Sequence, residues 1–331
     1  MLHSQTTAIR FSRFGGHSVL SQQNIPLPAL GKTDVLVRNK AIGVNFIDIY
    51  HRSGLYPISL PSGLGKEGAG VVEAVGRDVS RVKPGDRVSY VRAPLGAYSH
   101  AHVMDQDALI LLPDDIAYKT AAAMMLKGLT AAYLLLKTHL LKPSDTILVH
   151  AAAGGVGSIL TSWAKMIGAT VIGTVGQESK VEIAKTNGCD EVLLYRQQDI
   201  PHAVNAITGG KGVDVVYDSV GKDTFEMSLD SLKKRGLMVS FGNASGAVPD
   251  FPPLLLSQKG SIFLTRPVLF DYIHEPAEQQ QLANALFAIV QSKQLSINVN
   301  YQLLLSEAEE AHCMLESGAT TGSIVLIPDE G

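Results

Sequence analysis

Three features of the sequence predict an α/β protein built on a doubly wound parallel sheet and joined to a smaller β-rich domain. Between about residues 145 and 270, short apolar runs alternate with segments of helical spacing. A glycine-rich string, AAAGGVG at 151–157, stands directly between one such run and one such segment. The first 125 residues carry many short strand-like runs separated by Gly, Pro and Asp. Near-continuous apolar strands separated by helices indicate a sheet covered on both faces, and right-handed crossovers then give the doubly wound arrangement.

In chain order, the strand-like runs of the first part include 35–38 (VLVR), 70–75 (GVVEAV) and 87–91 (RVSYV), with turns such as KPGD at 83–86. Many short strands at close spacing predict a small barrel or irregular β-domain. A β-rich run at 146–150 (TILVH) then leads into the glycines, and Val156, Ile159, Leu160, Trp163 and Ile167 give helical spacing over 156–167. Strands follow at 170–175, 191–195, 213–217, 236–241 and 261–264, with helices near 179–186 and over 223–234. Beyond about 270 a helical stretch, 277–292, precedes a β-rich run at 322–327 that is expected to return to the first domain. The expected division is 1–127, 128–268 and a returning segment 269–331. No internal repeat is visible.

The 331 residues suit two domains of about 100–200 residues each. Lys+Arg number 28 against 31 Asp+Glu, and the resulting net charge of −3 leaves no basic stripe for non-specific nucleic-acid binding. Two cysteines, Cys189 and Cys313, make no disulfide framework, so a reducing, cytoplasmic setting is expected. The amino-terminal residues lack the apolar run of a secretory signal. The longest apolar stretch, 121–136, is broken by Lys127, Gly128 and Thr130 and falls short of the ~20 residues a membrane span needs. No membrane association is expected.

Within the glycine string, Ala152 takes the first position of a G-x-G-x-x-G pattern, with Gly154 and Gly157 at the second and third. Glycine is needed there because the backbone must turn tightly and approach a pyrophosphate. The helix that begins at Gly155 and Val156 presents unpaired amides to the phosphates. The end of the next strand selects the dinucleotide. Where NAD sites carry an acid that binds the ribose 2′-hydroxyl, this chain has Val175 and Gly176, and Glu178 lies beyond the strand. Ser179, Lys180 and Arg196 instead offer a donor and cations to a 2′-phosphate, favouring NADPH over NADH.

A β-rich first domain, this loop and a returning carboxyl-terminal segment resemble the medium-chain dehydrogenase/reductase superfamily. The resemblance is nearest to its zinc-free quinone oxidoreductases, the group that includes zeta-crystallin. It is carried by VNFIDIYHRSGLY (44–56), LPSGLGKEGAGVVEAVG (60–76), VKPGDRV (82–88), AAAMMLKGLTAAYLL (121–135), HAAAGGVG (150–157), VVYDSVG (215–221) and GLMVSFGNASG (236–246). The family implies a GroES-like catalytic domain, a Rossmann domain, NADPH, a homodimer and reduction of quinones. The zinc alcohol dehydrogenases share the layout, but where they place a Cys and a His as zinc ligands this chain has Asn45 and Lys66, the latter followed by Glu67. It also lacks their four-cysteine cluster. His100 and His102, the one close histidine pair, have no third ligand nearby in sequence and read as packing or surface residues. No metal is expected.

An alcohol needs a Lewis acid or base to lose its hydroxyl proton before hydride leaves, whereas a quinone accepts hydride with little help. The missing ligands therefore indicate a reductase of activated acceptors. By the resemblance, Asn45 donates a hydrogen bond to the acceptor's carbonyl oxygen and also approaches the cofactor. Tyr50 and Tyr56 line a planar slot or supply a proton. Asp48 reads as an orienting or capping residue rather than a base. Lys127 and Thr130 are placed near the nicotinamide or its ribose, Tyr133 near the phosphates and Tyr195 at the adenosine end. Asn243 and Arg266 follow the fifth and sixth strands, where open α/β sheets bind ligands. The alternative enzyme reading is an NADPH-dependent reductase of α,β-unsaturated ketones or aldehydes, which needs a proton delivered to carbon. A non-enzymatic nucleotide- or RNA-binding role finds no basic stripe interleaved with aromatics.

Overall fold

The computed structural model describes residues 4–329. They divide into two compact units, one formed by the chain up to Leu129 and again from Ile273, the other by Thr130–Tyr272. In chain order the first unit opens with strands β1 (Gln5–Phe11), β2 (Ser21–Pro26) and β3 (Asp34–Val44), helix α1 (Phe46–Ser53), and strands β4 (Ser62–Gly63), β5 (Glu67–Val75), β6 (Arg87–Tyr90), β7 (Ala101–Asp105) and β8 (Leu109–Leu111). Helix α2 (Tyr118–Tyr133) runs across the division. The second unit then alternates β9 (Thr146–Val149), α3 (Gly155–Ile167), β10 (Thr170–Val175), α4 (Val181–Thr186), β11 (Glu191–Leu194), α5 (Ile200–Ile207), β12 (Val213–Asp218) and α6 (Phe225–Ser231). It ends with β13 (Leu232–Ser240), α7 (Leu254–Gln258), β14 (Phe263–Thr265) and α8 (Leu269–Tyr272). The first unit resumes with α9 (Pro276–Gln291), β15 (Val299–Leu304), α10 (Ala308–Glu316) and β16 (Ser323–Ile327).

In the second unit the six strands lie in the order β11-β10-β9-β12-β13-β14, every pair parallel. This is the doubly wound Rossmann arrangement. The strand order reverses between β9 and β12, so their carboxyl ends frame the position where such sheets bind ligands. Leu148, Ile172, Val216 and Met238 point into one core with Phe225 and Leu229 of α6. Burial on both faces explains the unbroken apolar runs: Val171 to Val175 are all buried.

In the first unit a seven-stranded sheet runs β15-β16-β3-β5-β6-β8, with β7 also paired to β3, beside a three-stranded sheet β2-β1-β4. The run near the carboxyl terminus does return: Val325 of β16 lies opposite Gly43 of β3, antiparallel. Val37, Ile42, Leu64, Val88 and Leu326 fill the core. This is the GroES-like β-rich domain.

Three sequence expectations shift. The helix expected over 223–234 stops at Ser231, and Leu232 to Ser240 is strand. Leu232 pairs with Val213, an ion pair joins Lys233 to Asp214, and Arg235 adopts a left-handed φ of 61° at the irregularity. Cross-strand pairing overrides the helical propensity of LKKR. The strand expected at 261–264 begins at Phe263, after Ser261 with φ 55°. Helix α1 interrupts the β-rich part where only strands and turns were expected.

Candidate active site

Helix α1 of the first unit starts where a short polar residue can cap it. Asn45 has extended backbone (φ −138°, ψ 156°), and its amide N–H donates to Asp48 Oδ2 at 2.9 Å. The capping role read for Asp48 from sequence is the one the structure shows. The Asn45 side chain, 5% exposed, donates through Nδ2 to Glu67 Oε2 at 2.8 Å. Glu67 is fully buried; its Oε1 accepts the Leu126 amide at 2.7 Å, and Lys127 Nζ stands 3.9 Å from Oε2. Lys127 Nζ also donates to Val44 O at 3.4 Å. A Cβ at Gly43 would stand 2.1 Å from Glu67 Oε2 and 2.3 Å from Ala122 O, so only glycine lets β3 lie over this carboxylate.

The electrostatics of this cluster are mutual. Burial pushes Glu67 up, opposed by Lys127, Asn45 and backbone amides. Burial pushes Lys127 down, opposed by Glu67 and Asp48. Asp48 is pushed up to about 7 by burial, against the Asn45 amide and the Tyr98 hydroxyl. Lys66 is likewise pushed down by burial, and its Nζ donates to Ala93 O at 3.0 Å. Beside these groups Tyr50 and Tyr56 meet edge to face, ring centroids 5.1 Å apart and planes at 62°, with Phe46 6.3 Å from Tyr50. The structure thus brings together Asn45 with Lys127, and Tyr50 with Tyr56. Asn45 and Lys66, expected from the resemblance to stand in for zinc ligands, are bound here to Glu67 Oε2 and to Ala93 O. Among the described residues, no three His, Cys, Asp or Glu side chains are grouped to hold a metal ion.

In the second unit β9 ends in a strained loop. Ala151 has φ 53°, Ala152 N donates to Thr174 O at 3.0 Å, and Gly154 N donates to Ala151 O at 2.8 Å. Gly154 is the N-cap of α3 and has no side chain to satisfy the first amides, which belong to Gly155, Val156 and Gly157. A Cβ on Gly157 would lie 2.2 Å from Ala151 O. The loop and the first turn of α3 therefore form a backbone cradle that fits an anionic pyrophosphate.

Buried polar groups below the loop pin it. His150 meets Thr174 Oγ1 at 2.8 Å through Nδ1 and Ser228 Oγ at 2.9 Å through Nε2, and Ser228 Oγ donates to Asp218 Oδ2 at 2.9 Å. Asp218 also accepts from the amides of Val220 and Gly221 and from Thr224 Oγ1. One carboxylate thereby fixes the turn after β12 and, through His150, the start of the glycine loop.

Of the other sequence-read residues, most follow the carboxyl ends of strands in the same sheet, while Thr130 and Tyr133 lie on α2. Tyr195 N donates to Val175 O at 3.2 Å, and a Cβ on Gly176 would lie 3.1 Å from the Tyr195 ring. Arg196 lies over that ring, 5.6 Å from its centroid. Ser179 is exposed and Lys180 half-buried in the turn Glu178–Lys180 that precedes α4. Arg266 Nη1 donates to Ser240 O at 2.8 Å, and in the amide orientation that satisfies both groups Asn243 accepts from Arg266 Nη2 at 3.1 Å. Tyr133 is 2% exposed and stacks on Tyr272, centroids 4.5 Å apart. Thr130 is partly exposed at the start of the second unit.

Glu67, Asp218 and His150 escaped the sequence reading as site-forming residues. A single carboxylate inside GKEGAG or VVYDSVG carries no signal until the glycine or serine opposite it is known.

Two domain families match the chain in series. The alcohol dehydrogenase GroES-like domain matches residues 31–146, and the zinc-binding dehydrogenase family matches 155–274. A quinone oxidoreductase of Pseudomonas aeruginosa is 50% identical over 97% of this chain and 99% of its own. A 2-haloacrylate reductase of a Burkholderia species is 43% identical over 95% of this chain and 96% of its own. The crystal structure of Escherichia coli quinone oxidoreductase complexed with NADPH matches with a TM-score of 0.95 and 49% identity, over 97% of this chain and all of that one. With half its residues shared along nearly the whole length of such a relative, the chain belongs to the quinone oxidoreductases of the medium-chain dehydrogenase/reductase superfamily.

Proposed function

We propose that the protein is an NADPH:quinone reductase that passes hydride to a planar acceptor without zinc. The observation that supports this reading is the Asn45 amide, tied to Glu67 at 2.8 Å and to the Asp48 cap at 2.9 Å, in the segment where the resemblance would put a zinc ligand. The second unit is proposed as the cofactor domain. Gly154, Gly155, Val156 and Gly157 cradle the pyrophosphate, and Lys180 with Ser179 and Arg196 recognises a 2′-phosphate in place of the missing acid. Gly176 and Tyr195 shape the adenosine end, Asn243 and Arg266 the far end, and Thr130, Tyr133, Asn45 and Lys127 complete the contacts. The crystallised Escherichia coli relative carries NADPH.

NADPH, when bound, supplies the hydride. Asn45 carries two amide N–H groups, and Glu67 accepts one of them. That contact orients the side chain so that the second donates to the acceptor's carbonyl oxygen as negative charge develops there. Lys127 beside Glu67 favours the carboxylate, which in turn holds the amide. Tyr50 and Tyr56 present an edge-to-face aromatic wall against which a flat ring packs. Hydride plus one proton converts the quinone to the hydroquinone, and the phenols or water deliver that proton.

A second reading, reduction of an activated carbon–carbon double bond, is favoured by the 2-haloacrylate reductase relative and by the same two phenols. NADPH oxidation with a quinone and with an enone, each with NADH as competing donor and with chelator present, separates the readings. Fast, chelator-insensitive turnover of quinone with NADPH is expected; turnover of the enone alone overturns the first reading in favour of the second. We also infer a homodimer paired along β14, an edge strand with Phe263 62% exposed, which a solution mass measurement checks. A reducing compartment fits the two free cysteines.

A further inference from the structure

Behind Asp48 a chain of buried side chains runs to helix α10. Arg52 Nη1 lies 2.9 Å from His312 Nδ1, His312 Nε2 lies 3.1 Å from Tyr98 Oη, and Tyr98 Oη lies 3.0 Å from Asp48 Oδ2. Arg52 is 1% exposed, Tyr98, His312 and Asp48 fully buried. Arg52 is anchored at its other nitrogens, by Gly15 O at 3.2 Å and Glu316 Oε1 at 2.5 Å.

The direction of every hydrogen bond in this chain is fixed. A guanidinium only donates, so His312 Nδ1 accepts and the ring proton sits on Nε2. Burial together with the Arg52 and His17 charges pushes His312 down to about 3, so the ring is neutral. Its Nε2–H therefore donates to Tyr98 Oη, and the Tyr98 proton has one place left to go, Asp48 Oδ2. That same oxygen accepts the Asn45 amide.

We propose that Tyr98 and His312 are positioning residues that hold Asp48 as the anionic cap of Asn45, and so aim the Asn45 side chain at the acceptor. The inference rests on the role given to Asn45 under Proposed function. Two donors converging on Oδ2 favour the charged carboxylate. Its other oxygen, Oδ1, is buried with no hydrogen-bond partner among the described residues, and that is where a proton settles when the cap is lost. The groups facing Asp48 are Lys66 just ahead of β5, Glu67 at its start, Lys127 on α2, Tyr98 ahead of β7, Arg52 on α1 and His312 on α10. Glu67 opposes the charge, while Lys66 and Lys127 favour it.

The test is the pH profile of kcat with the titration of Asp48 itself. In the parent protein kcat is expected to fall below about pH 7, where Asp48 takes up a proton. The carboxyl carbon of Asp48, followed by NMR without cofactor, should titrate over the same range. In Tyr98→Phe both curves should move up by about one pH unit, the size of one hydrogen bond to a charged group. Asp48→Asn, measured as well in case Tyr98→Phe does not fold, should lose the acid limb and most of kcat at every pH. A parent carboxyl that titrates in the ordinary range, a limb unmoved in Tyr98→Phe or one surviving in Asp48→Asn overturns the proposal. Asn45→Ala separates this from failure of the underlying reading: a kcat left unchanged there removes the role of Asn45 itself, whereas a ~100-fold loss with an unmoved limb removes only the positioning chain.

Discussion

The proposed cofactor choice and acceptor activation both rest on single residues, and these differ in how openly the sequence declares them. The missing acid after β10 is legible because Val175 and Gly176 are simply not carboxylates, and Lys180 follows at once. Lys180→Glu should raise the KM for NADPH by about 10–100-fold while leaving that for NADH within a few-fold, since a carboxylate repels a 2′-phosphate and accepts a 2′-hydroxyl. Initial rates with the two dinucleotides check this. Asn45 is legible through its segment, VNFID. Its partner Glu67 is not, because a buried carboxylate is readable only once Gly43 is known to leave room for it. The Arg52–His312–Tyr98 chain was out of reach for the same reason. Its linked pairs, Arg52 with His312 and His312 with Tyr98, lie 260 and 214 residues apart in sequence, and topology alone brings them together.

At the scale of elements, the glycine loop shows what local sequence fixes well. Strand β9, the loop and α3 were all placed to within a residue or two, because buried parallel strands are apolar throughout and α3 is amphipathic. Gly157→Ala forces a Cβ to within 2.2 Å of Ala151 O, so loop or helix must shift. The expected result is a stability loss of about 1–3 kcal/mol and a raised KM for the dinucleotide. Thermal unfolding and dinucleotide titration measure the two effects, and a variant indistinguishable from the parent in both contradicts the packing argument. Where local propensity competed with pairing, the sequence misled. Residues 232–234 read as helix, yet the partner strand β12 and the Lys233–Asp214 pair draw them into β13. Helix α1 was missed because its apolar positions are few, although its Asn45–Asp48 capping pair was visible in the sequence.

Across the whole molecule, buried histidines set the response to acid. Burial pushes His51 and His102 down to about 4 and His312 to about 3, from 6.5 in an unfolded chain. The stability they lend is present above pH 6.5 and is lost as pH falls toward their folded values, because the unfolded chain takes up protons that the folded one refuses. Asp48 and Glu67 act with the opposite sign. Both are raised by burial, so their contribution is greatest in acid and is lost as pH rises, for Asp48 through about 7. Burial also pushes His100 and His150 down, so five histidines stand against two carboxyls and leave a net loss toward acid, with a slope of up to ~1.4 kcal/mol per pH unit for each net proton. Urea midpoints measured between about pH 7 and 4.5 should fall steadily, and less steeply in His312→Gln; a flat profile contradicts the assignment.

The place of β16 in the first sheet has a consequence for how the protein is made. That strand sits between β15 and β3, so a unit begun by the first strands is completed only by residues 323–327. The second unit, by contrast, is one continuous stretch, Thr130–Tyr272. During synthesis the Rossmann sheet has all its strands available while the carboxyl end of β3, residues 42–44, still waits for β16. Until β16 is made, residues 42–44 of β3 lack their antiparallel neighbour, while 34–38 can already pair with β7, so the unpaired edge left open during synthesis is short.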